Sequence, residues 1–313
     1  MKKLIQIIIL LLLSNTFIIG QRISVVNVSE LTNLSNGEFY YPKFSSDNNK
    51  VFFTQSNYKG LYLLTTTDNS ITKLTDDDGA GYEFAIDINN NSVYYRSDRY
   101  INKRKYSSIK ACDLNSLNVK TIIADKRDVS TPKIIGGGNI FYTVQKSLRS
   151  FESKTLKQKS NKLTSTSSFV QIENSKIALY QGNIKKILAP LGKGNYIWPS
   201  LSPDKTKLLF TLAGKGTYIS DLNGKILVYL GYANYPKWSP DGKWISYMVD
   251  KDNGLSVISS DIYAASADGN LKFRLTDTND IYEMYPDWSS DGSEIVANTY
   301  DGKILLLKLK IEE

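Results

Sequence analysis

Three glutamates recur at matching points of the chain and are the residues whose type and spacing best suit chemistry. Glu38, Glu83 and Glu283 each stand shortly before an apolar, strand-forming stretch. Two carboxylates about 5–10 Å apart are sufficient for glycoside hydrolysis, because one protonates the leaving group while the other acts as base or nucleophile. A ring of carboxylates at a channel mouth could equally hold a cation, an amine or a basic peptide. Ordinary surface carboxylates are the simplest interpretation.

The composition removes most other kinds of catalysis. The 313 residues include no histidine, which excludes Ser-His-Asp and Cys-His mechanisms and metal sites that need imidazole. Cys112 is the only cysteine, so the chain has no internal disulfide, and its strand-like surroundings predict a buried thiol. We expect no catalytic residue and no appended hydrolase domain, and therefore a protein that is not an enzyme.

Two short clusters of charge lack the spacing that ion or nucleic-acid sites need. Asp76, Asp77 and Asp78 carry the oxygen ligands that Ca²⁺ prefers, but without the alternating spacing and distal glutamate of a helix-loop-helix calcium site. Lys103 and Arg104 belong to a basic run that is too small for nucleic-acid binding. We therefore expect no metal, no cofactor and no nucleic-acid partner.

One phrase recurs four times and defines the architecture. It reads Tyr-Pro-Lys-Phe-Ser-Ser-Asp at 41–47, Trp-Pro-Ser-Leu-Ser-Pro-Asp at 198–204, Tyr-Pro-Lys-Trp-Ser-Pro-Asp-Gly at 235–242 and Tyr-Pro-Asp-Trp-Ser-Ser-Asp-Gly at 285–292. The residue two after the proline marks an anchor, and weaker copies complete a series of seven: Phe44, Ile86, Ile134, Ile172, Leu201, Trp238 and Trp288. We predict that the aromatic anchors pack between repeats and that the aspartates close turns.

Each repeat has the order of a four-stranded propeller blade. The anchor strand ends at an Asp-Gly type turn, a second apolar strand follows, a third carries a tyrosine, and a fourth ends in a Leu-Thr pair, as at 74–75, 163–164 and 275–276. The pattern predicts an all-β propeller of four-stranded antiparallel blades, seven in preference to six. The fourth unit is predicted to be three-stranded or part of a neighbour.

The two ends of the chain are predicted to share one blade. The last unit lacks its outer strand, and residues 23–28 supply a strand that leads into a Leu-Thr pair at 31–32, as the fourth strand of a blade does. An N-terminal strand that completes the last blade closes the ring and removes an edge that would otherwise pair with other chains.

The phrase Pro-x-aromatic-Ser-x-Asp-Gly, followed by a short strand, an Ile-Tyr strand and a Leu-Thr end, resembles the repeat of TolB-like β-propellers. The resemblance covers nearly all of residues 21–313 and is strongest in units one, five, six and seven. TolB also carries an N-terminal α/β domain, for which residues 21–40 leave no room. The resemblance implies an envelope or secreted protein whose propeller docks partners.

Residues 1–20 are predicted to be a cleaved secretory signal. Lys2 and Lys3 precede an apolar stretch at 4–13, which is shorter than the roughly 20 residues that span a bilayer, and residues 18–20 resemble a cleavage site. We expect residues 21–313 to form one periplasmic or secreted domain without a transmembrane segment. The net charge of +8 is moderately basic and fits a solvated surface.

The predicted binding surface is the face that carries the crossovers between blades, because loops hold most binding residues. In a four-stranded antiparallel blade the loop between the second and third strands emerges on this same face, and long loops of this kind are predicted at 99–106 and 250–260. The candidate binding residues on this crossover face are Glu38, Tyr40, Asp76, Asp77, Asp78, Tyr82, Glu83, Lys103, Arg104, Tyr196, Tyr282 and Glu283.

These observations favour a non-enzymatic binding scaffold of the cell envelope, which holds a protein segment or another envelope component on its crossover face. A carboxylate-only, glycan-active enzyme that uses Glu38, Glu83 or Glu283 is the alternative.

Overall fold

Seven antiparallel sheets surround a central axis and form a β-propeller. The computed structural model describes residues 21–135, 138–156, 167–182 and 184–312. Within them lie 26 strands and two single-turn 3₁₀ helices, Ser56–Tyr58 and Ile88–Asn90. The all-β fold and the seven-blade count are confirmed. In the described ranges, no helix has the length and apolar character needed to cross a bilayer.

The strands are numbered in chain order, from β1 (Arg22–Glu30), and each blade runs outward from the axis. The first two blades are β2 (Tyr40–Phe44), β3 (Lys50–Thr54), β4 (Leu61–Thr65), β5 (Ile71–Thr75), and β6 (Ala85–Asp87), β7 (Ser92–Ile101), β8 (Arg104–Asp113), β9 (Val119–Lys126). The next two are β10 (Lys133–Ile135), β11 (Asn139–Val144), β12 (Ser147–Glu152), and β13 (Ser168–Glu173), β14 (Lys176–Gln181), β15 (Ile184–Leu188).

The last three blades are continuous within the described residues. They are β16 (Tyr196–Leu201), β17 (Lys207–Leu212), β18 (Gly216–Asp221), β19 (Ile226–Gly231); β20 (Asn234–Trp238), β21 (Trp244–Asp252), β22 (Val257–Ser266), β23 (Lys272–Arg274); and β24 (Glu283–Trp288), β25 (Glu294–Thr299), β26 (Ile304–Glu312). Blades three and four have three described strands each, so the fourth unit is a sheet of its own. The predicted Leu-Thr pair at 163–164 and the signal at 1–20 lie outside the described residues.

The N-terminal strand closes the ring as predicted. Strand β1 pairs antiparallel with β26 on the outer side of the last blade, from Arg22 opposite Glu312 to Glu30 opposite Leu305. Just beyond the strand, the hydroxyl of Thr32 accepts the backbone N–H of Ile304 at 2.9 Å. The two ends of the chain therefore stabilise one another through a shared sheet.

All seven predicted anchors fall on the innermost strand of a blade, one in each. Phe44 is buried in a cluster with Val296 of the last blade. The indole N–H of Trp288 donates to the backbone oxygen of Lys237 in the preceding blade at 3.3 Å. The aromatic anchors thus pack between blades, as their fixed place in the repeat predicts.

The Ser-x-Asp part of the phrase builds the turn between the first and second strands. In blade six the Ser239 hydroxyl donates to Asp241 at 2.6 Å and accepts the backbone N–H of Trp244 at 2.9 Å, while Asp241 accepts the N–H of Lys243 at 3.0 Å. The same serine-to-aspartate bond recurs at Asp47, Asp204 and Asp291. The prediction that these aspartates form turns is confirmed.

The predicted long loops at 99–106 and 250–260 are instead extended hairpins. Strands β7 and β8 continue to Ile101 and from Arg104, and only Asn102 and Lys103 form the turn, both with positive φ. Strands β21 and β22 likewise leave only residues 253–256 unpaired. Charged and polar residues concealed the strands, because a hairpin exposed on both faces has no apolar alternation to reveal it. Cys112 is fully buried, as predicted.

Candidate functional site

A cavity of about 670 Å³ lies where the innermost strands of all seven blades converge. Its lining includes Tyr41, Glu83 and Trp198 toward the crossover face and Ser46 and Ser290 toward the opposite face. The repeat places these residues together, because each copy contributes the same short segment to the axis. We call this cavity the channel.

A β-bulge turns one residue of the phrase into the channel in most blades. The pairing register slips between Tyr40 and Lys43 in the first blade, and equivalent slips occur in blades five, six and seven. The residue at the bulge has a φ between 51° and 55° in these four blades: Tyr41, Trp198, Tyr235 and Tyr285. Glu83, at the equivalent position just before β6 of the second blade, has a φ of 51°. This left-handed conformation is costly for residues other than glycine and concentrates at functional sites.

Six aromatic rings form a continuous cluster at the crossover end of the channel, which we call the aromatic rim: Tyr41, Tyr58, Tyr82, Trp198, Tyr235 and Tyr285. Ring centroids are 4.2 Å apart for Tyr41 and Tyr285, 4.6 Å for Tyr41 and Tyr58, and 5.9 Å for Trp198 and Tyr235. Burial raises the pKa of Tyr58 and of Tyr285, so their hydroxyls stay neutral hydrogen-bonding groups.

A second ring of side chains lies deeper, at the residue directly before the anchor in six of the seven blades. These side chains line the channel: Lys43, Ala85, Lys133, Ser200, Lys237 and Asp287. Three of the six are lysines and one is an aspartate. Below the aromatic rim the channel is therefore positively charged.

Two of the three lysines face a carboxylate. Lys133 is 3.0 Å from Glu83, and this ammonium is the main cause that lowers the pKa of Glu83 to about 2. Lys237 is 3.9 Å from Asp287, which also accepts the backbone N–H of Phe44 at 3.1 Å. Burial nevertheless raises the pKa of Asp287. The pKa values of the two carboxyl groups in the channel are thus shifted in opposite directions.

Lys43 is the third lysine, and none of the described carboxylates lies within 4.0 Å of its ammonium. It donates to the backbone oxygen of Phe84 at 3.2 Å and lies 5.4 Å from the centre of that ring. Burial lowers the pKa of Lys43 to about 8. A desolvated ammonium without an ion-pair contact is the group in this channel best suited to an incoming anion.

Of the predicted site residues, Tyr82 and Glu83 line the channel, and the other two candidate glutamates do not. Glu38 is exposed and accepts from Tyr40 at 3.2 Å. Glu283 is 2% exposed and accepts from Thr278 at 2.9 Å. The alternative of a ring of three glutamates is not formed, because only Glu83 occupies the position that Tyr41 holds in the first blade.

The predicted acidic run is occupied by ion pairs. Asp77 binds the Lys110 ammonium at 2.8 Å and accepts from the Tyr95 hydroxyl at 2.9 Å. Asp76 pairs with Lys73 at 2.9 Å, and the backbone oxygen of Asp78 accepts an N–H from the neighbouring hairpin. Among the described residues, no three acidic or cysteine side chains converge as a metal site would require.

The remaining predicted residues lie away from the channel. Lys103 and Arg104 are exposed at the tip of the β7–β8 hairpin, and Tyr282 packs against Tyr300 with ring centres 6.2 Å apart. Tyr196 is fully buried, and its hydroxyl accepts the Leu191 N–H at 2.9 Å, so its prediction as a surface residue is wrong. It starts a strand two residues before the bulge and therefore faces the core.

The sequence contained a signal for the residues that were missed. Tyr41, Trp198, Tyr235 and Tyr285 are the aromatic residues directly before the proline of each strong copy of the phrase. The anchor after the proline explains packing, but it leaves this second recurring aromatic residue unexplained. An aromatic residue that recurs in every strong copy and is not needed for packing in the core is a candidate to line the central axis of the propeller.

Comparison with known proteins identifies the fold. No protein-family profile and no curated protein matches the sequence. An oligogalacturonate lyase from Vibrio parahaemolyticus superposes with a TM-score of 0.56 at 10% identity, over 92% of this chain and 96% of that one. TolB from Acinetobacter baumannii gives a TM-score of 0.50 at 16% identity, over 80% of this chain and 57% of the TolB chain. The resemblance to TolB-like propellers is confirmed at the level of fold.

Proposed function

We propose that this chain is an exported binding protein that holds a segment of a partner protein at the crossover end of its channel. The observation that carries the proposal is the aromatic rim. Tyrosine and tryptophan give large, rigid contact surfaces at small cost in conformational entropy, and they offer both ring faces and polar groups. Four bulge residues and the equivalent Glu83 hold a costly backbone conformation at this place, which favours a binding role over a purely structural one.

The size of the channel limits what enters it. A volume of about 670 Å³ is within the range of ligand sites and far below that of a folded domain. The ligand inside the channel is therefore a short segment, with any larger partner surface resting on the loops of the crossover face. Lys103, Arg104 and Tyr282 would contact such a surface, whereas Tyr82 would contact the segment itself.

The test is a selection of peptides displayed on phage, followed by affinity measurement through the intrinsic fluorescence of the four tryptophans, of which Trp198 and Trp288 line the channel. A double variant, Tyr58→Ala with Tyr82→Ala, removes two rings from the aromatic rim. We expect it to weaken selected peptides by about 10-fold or more, since aromatic hot-spot residues each contribute about 1–2 kcal/mol. The matched control is Tyr229→Ala, which removes an exposed tyrosine from outer strand β19.

Two results would refute the proposal. One is a selection that returns no peptide above background. The other is a set of peptides whose affinity is the same for the wild-type protein and for the double variant. Export has its own test, which is the N-terminal sequence of the mature protein. It should begin at or near Gln21, and a mature chain that still carries Lys2 and Lys3 would contradict it.

The glycan-active alternative keeps one supporting observation, which involves a different pair of carboxylates. Glu83 and Asp287 both line the channel, and their pKa values are displaced in opposite directions. Environments that separate two carboxyl groups in this way are typical of an acid and base pair. Turnover of a glycan panel that disappears in both Glu83→Gln and Asp287→Asn would favour this alternative, and the absence of any turnover by the wild-type protein would exclude it.

A further inference from the structure

The charges of the channel do not balance. Lys133 has Glu83 as its partner and Lys237 has Asp287, at 3.0 and 3.9 Å. Lys43 has only a backbone oxygen, which occupies one of the three N–H donors of its ammonium. At the level of the second ring there is therefore one cation more than there are carboxylates, and the remaining lining lysine, Lys205, is an exposed residue of the turn after β16 at the opposite end of the channel.

The charged groups with the largest effect on Lys43 line the same channel. Asp287 and Glu83 favour its protonated form, while Lys237 and Lys133 disfavour it. A single added negative charge would compensate the excess, reduce the repulsion among the three lysines, and use the free N–H donors of Lys43. At this level of the channel a second negative charge would have no unpaired cation to meet.

We propose that the channel binds one terminal carboxylate, the C-terminal end of a peptide segment, at Lys43. This inference rests on the proposed function and specifies which end of the partner segment enters. A chain end carries a single negative charge at its terminal carboxylate. Its last side chains remain beside the tyrosines while its carboxylate reaches the lysine.

The depth of the site fits this arrangement. Lys43 lies two residues beyond Tyr41 along strand β2, which is about 6 Å farther into the channel. An extended peptide advances about 3.3 Å per residue. A carboxylate at Lys43 therefore places the side chains of the last two residues at the level of the aromatic rim, where Tyr41 and Tyr285 lie 4.2 Å apart.

The experiment compares two random tripeptide libraries, both acetylated at the N-terminus, one with free C-terminal carboxylates and one with C-terminal amides. Affinity-selection mass spectrometry measures which members the full chain retains. We expect retention of free acids, with amide versions of the same sequences bound about 10- to 100-fold more weakly, as for the loss of a charge-assisted hydrogen bond. Sodium acetate alone measures the carboxylate without a peptide.

Variants locate the charge. Lys43→Met should abolish the preference for free acids, and Lys43→Arg should retain it, which separates loss of charge from loss of packing. Lys186→Met is the matched control, since this half-buried lysine of β15 binds Asn223 in the turn between β18 and β19, away from the channel.

The possible results are distinct. Equal retention of acids and amides overturns the carboxylate site and leaves the proposed function standing. A preference for acids that persists in Lys43→Met overturns the assignment to this lysine. Retention of neither library overturns both proposals. Acetate binding without a peptide preference reduces the site to a general anion site, and it also overturns the chain-end assignment.

Discussion

Closure of the ring by the N-terminal strand makes a strong prediction about a single side chain. Ile23 lies on strand β1 with 1% of its surface exposed and packs in a cluster with Leu275 of blade six and Leu307 of blade seven. Val26, three residues later on the same strand, is 60% exposed. Truncating the two residues to alanine therefore tests whether β1 belongs to the core or only covers an edge.

The expected effect can be estimated from burial. Removing three carbons from a fully buried isoleucine costs about 2–5 kcal/mol, because transfer energy is lost and a cavity remains. At about 2 °C per kcal/mol for a chain of this size, Ile23→Ala should lower the melting temperature by about 4–10 °C. Val26→Ala should change the free energy of unfolding by less than about 0.5 kcal/mol, since its side chain is already in water.

Differential scanning calorimetry of the wild-type protein and the two variants measures this difference. Equal melting temperatures for wild type and Ile23→Ala would refute the packing of β1 between blades six and seven. Equal destabilisation by both substitutions would show that the strand acts through its backbone alone. Deleting residues 21–32 removes the whole pairing with β26 and should lower the melting temperature well beyond the effect of Ile23→Ala.

Three further predictions concern the channel and its entrance. The pKa of Lys43 is about 8 in the folded protein, below the value near 10.4 of an unfolded chain. Between about pH 8 and 10.5 the unfolded state therefore holds more protons, and the stability of the wild-type protein should rise with pH relative to that of Lys43→Met. Urea-denaturation midpoints of the two proteins that change in parallel with pH would contradict this. Glu83 has a pKa lowered to about 2, so its contribution to stability should be present above about pH 4.5 and disappear as the pH falls toward 2, and a Glu83→Gln variant with the acid dependence of wild type would refute it. A methyl group at Gly81 would come within 2.2 Å of both Cβ and Oγ1 of the buried Thr54, so Gly81→Ala should cost about 1–3 kcal/mol. Thr54→Ser keeps both of these atoms, so the double variant should recover little of the loss in a thermal melt, and full recovery would contradict this contact.

The repeat phrase was sufficient to predict the fold in detail. Proline fixes the backbone at one point of the phrase, serine and aspartate close the turn, and the anchor supplies the apolar residue that must be buried. Each of these effects is local, so seven copies of the pattern predict seven similar sheets. The closure by β1 followed from a missing strand at one end and an additional strand at the other, and the observed pairing confirms it.

The hairpins and the buried tyrosine could not be predicted from local patterns. Strands β7 and β8 extend through charged residues, whose side chains face water on both sides and so give no alternation. Tyr196 resembles a loop residue in sequence, and only its contact with Leu191 and the neighbouring core explains its burial. Strand pairing decides the hairpins and packing against the core buries Tyr196, and neither interaction is visible in the local sequence pattern.

The sequence by itself determined the kind of sheet, the number of repeats and the residues that hold each turn, because these depend on interactions within a few neighbouring residues. The tertiary structure alone decided which side chains share the axis. A bulge shifts the register at Tyr41 and its equivalents, and a shift of one residue exchanges the two faces of a strand. Seven blades then bring these side chains together across long separations in the chain, and the excess charge of Lys43 exists only once they meet.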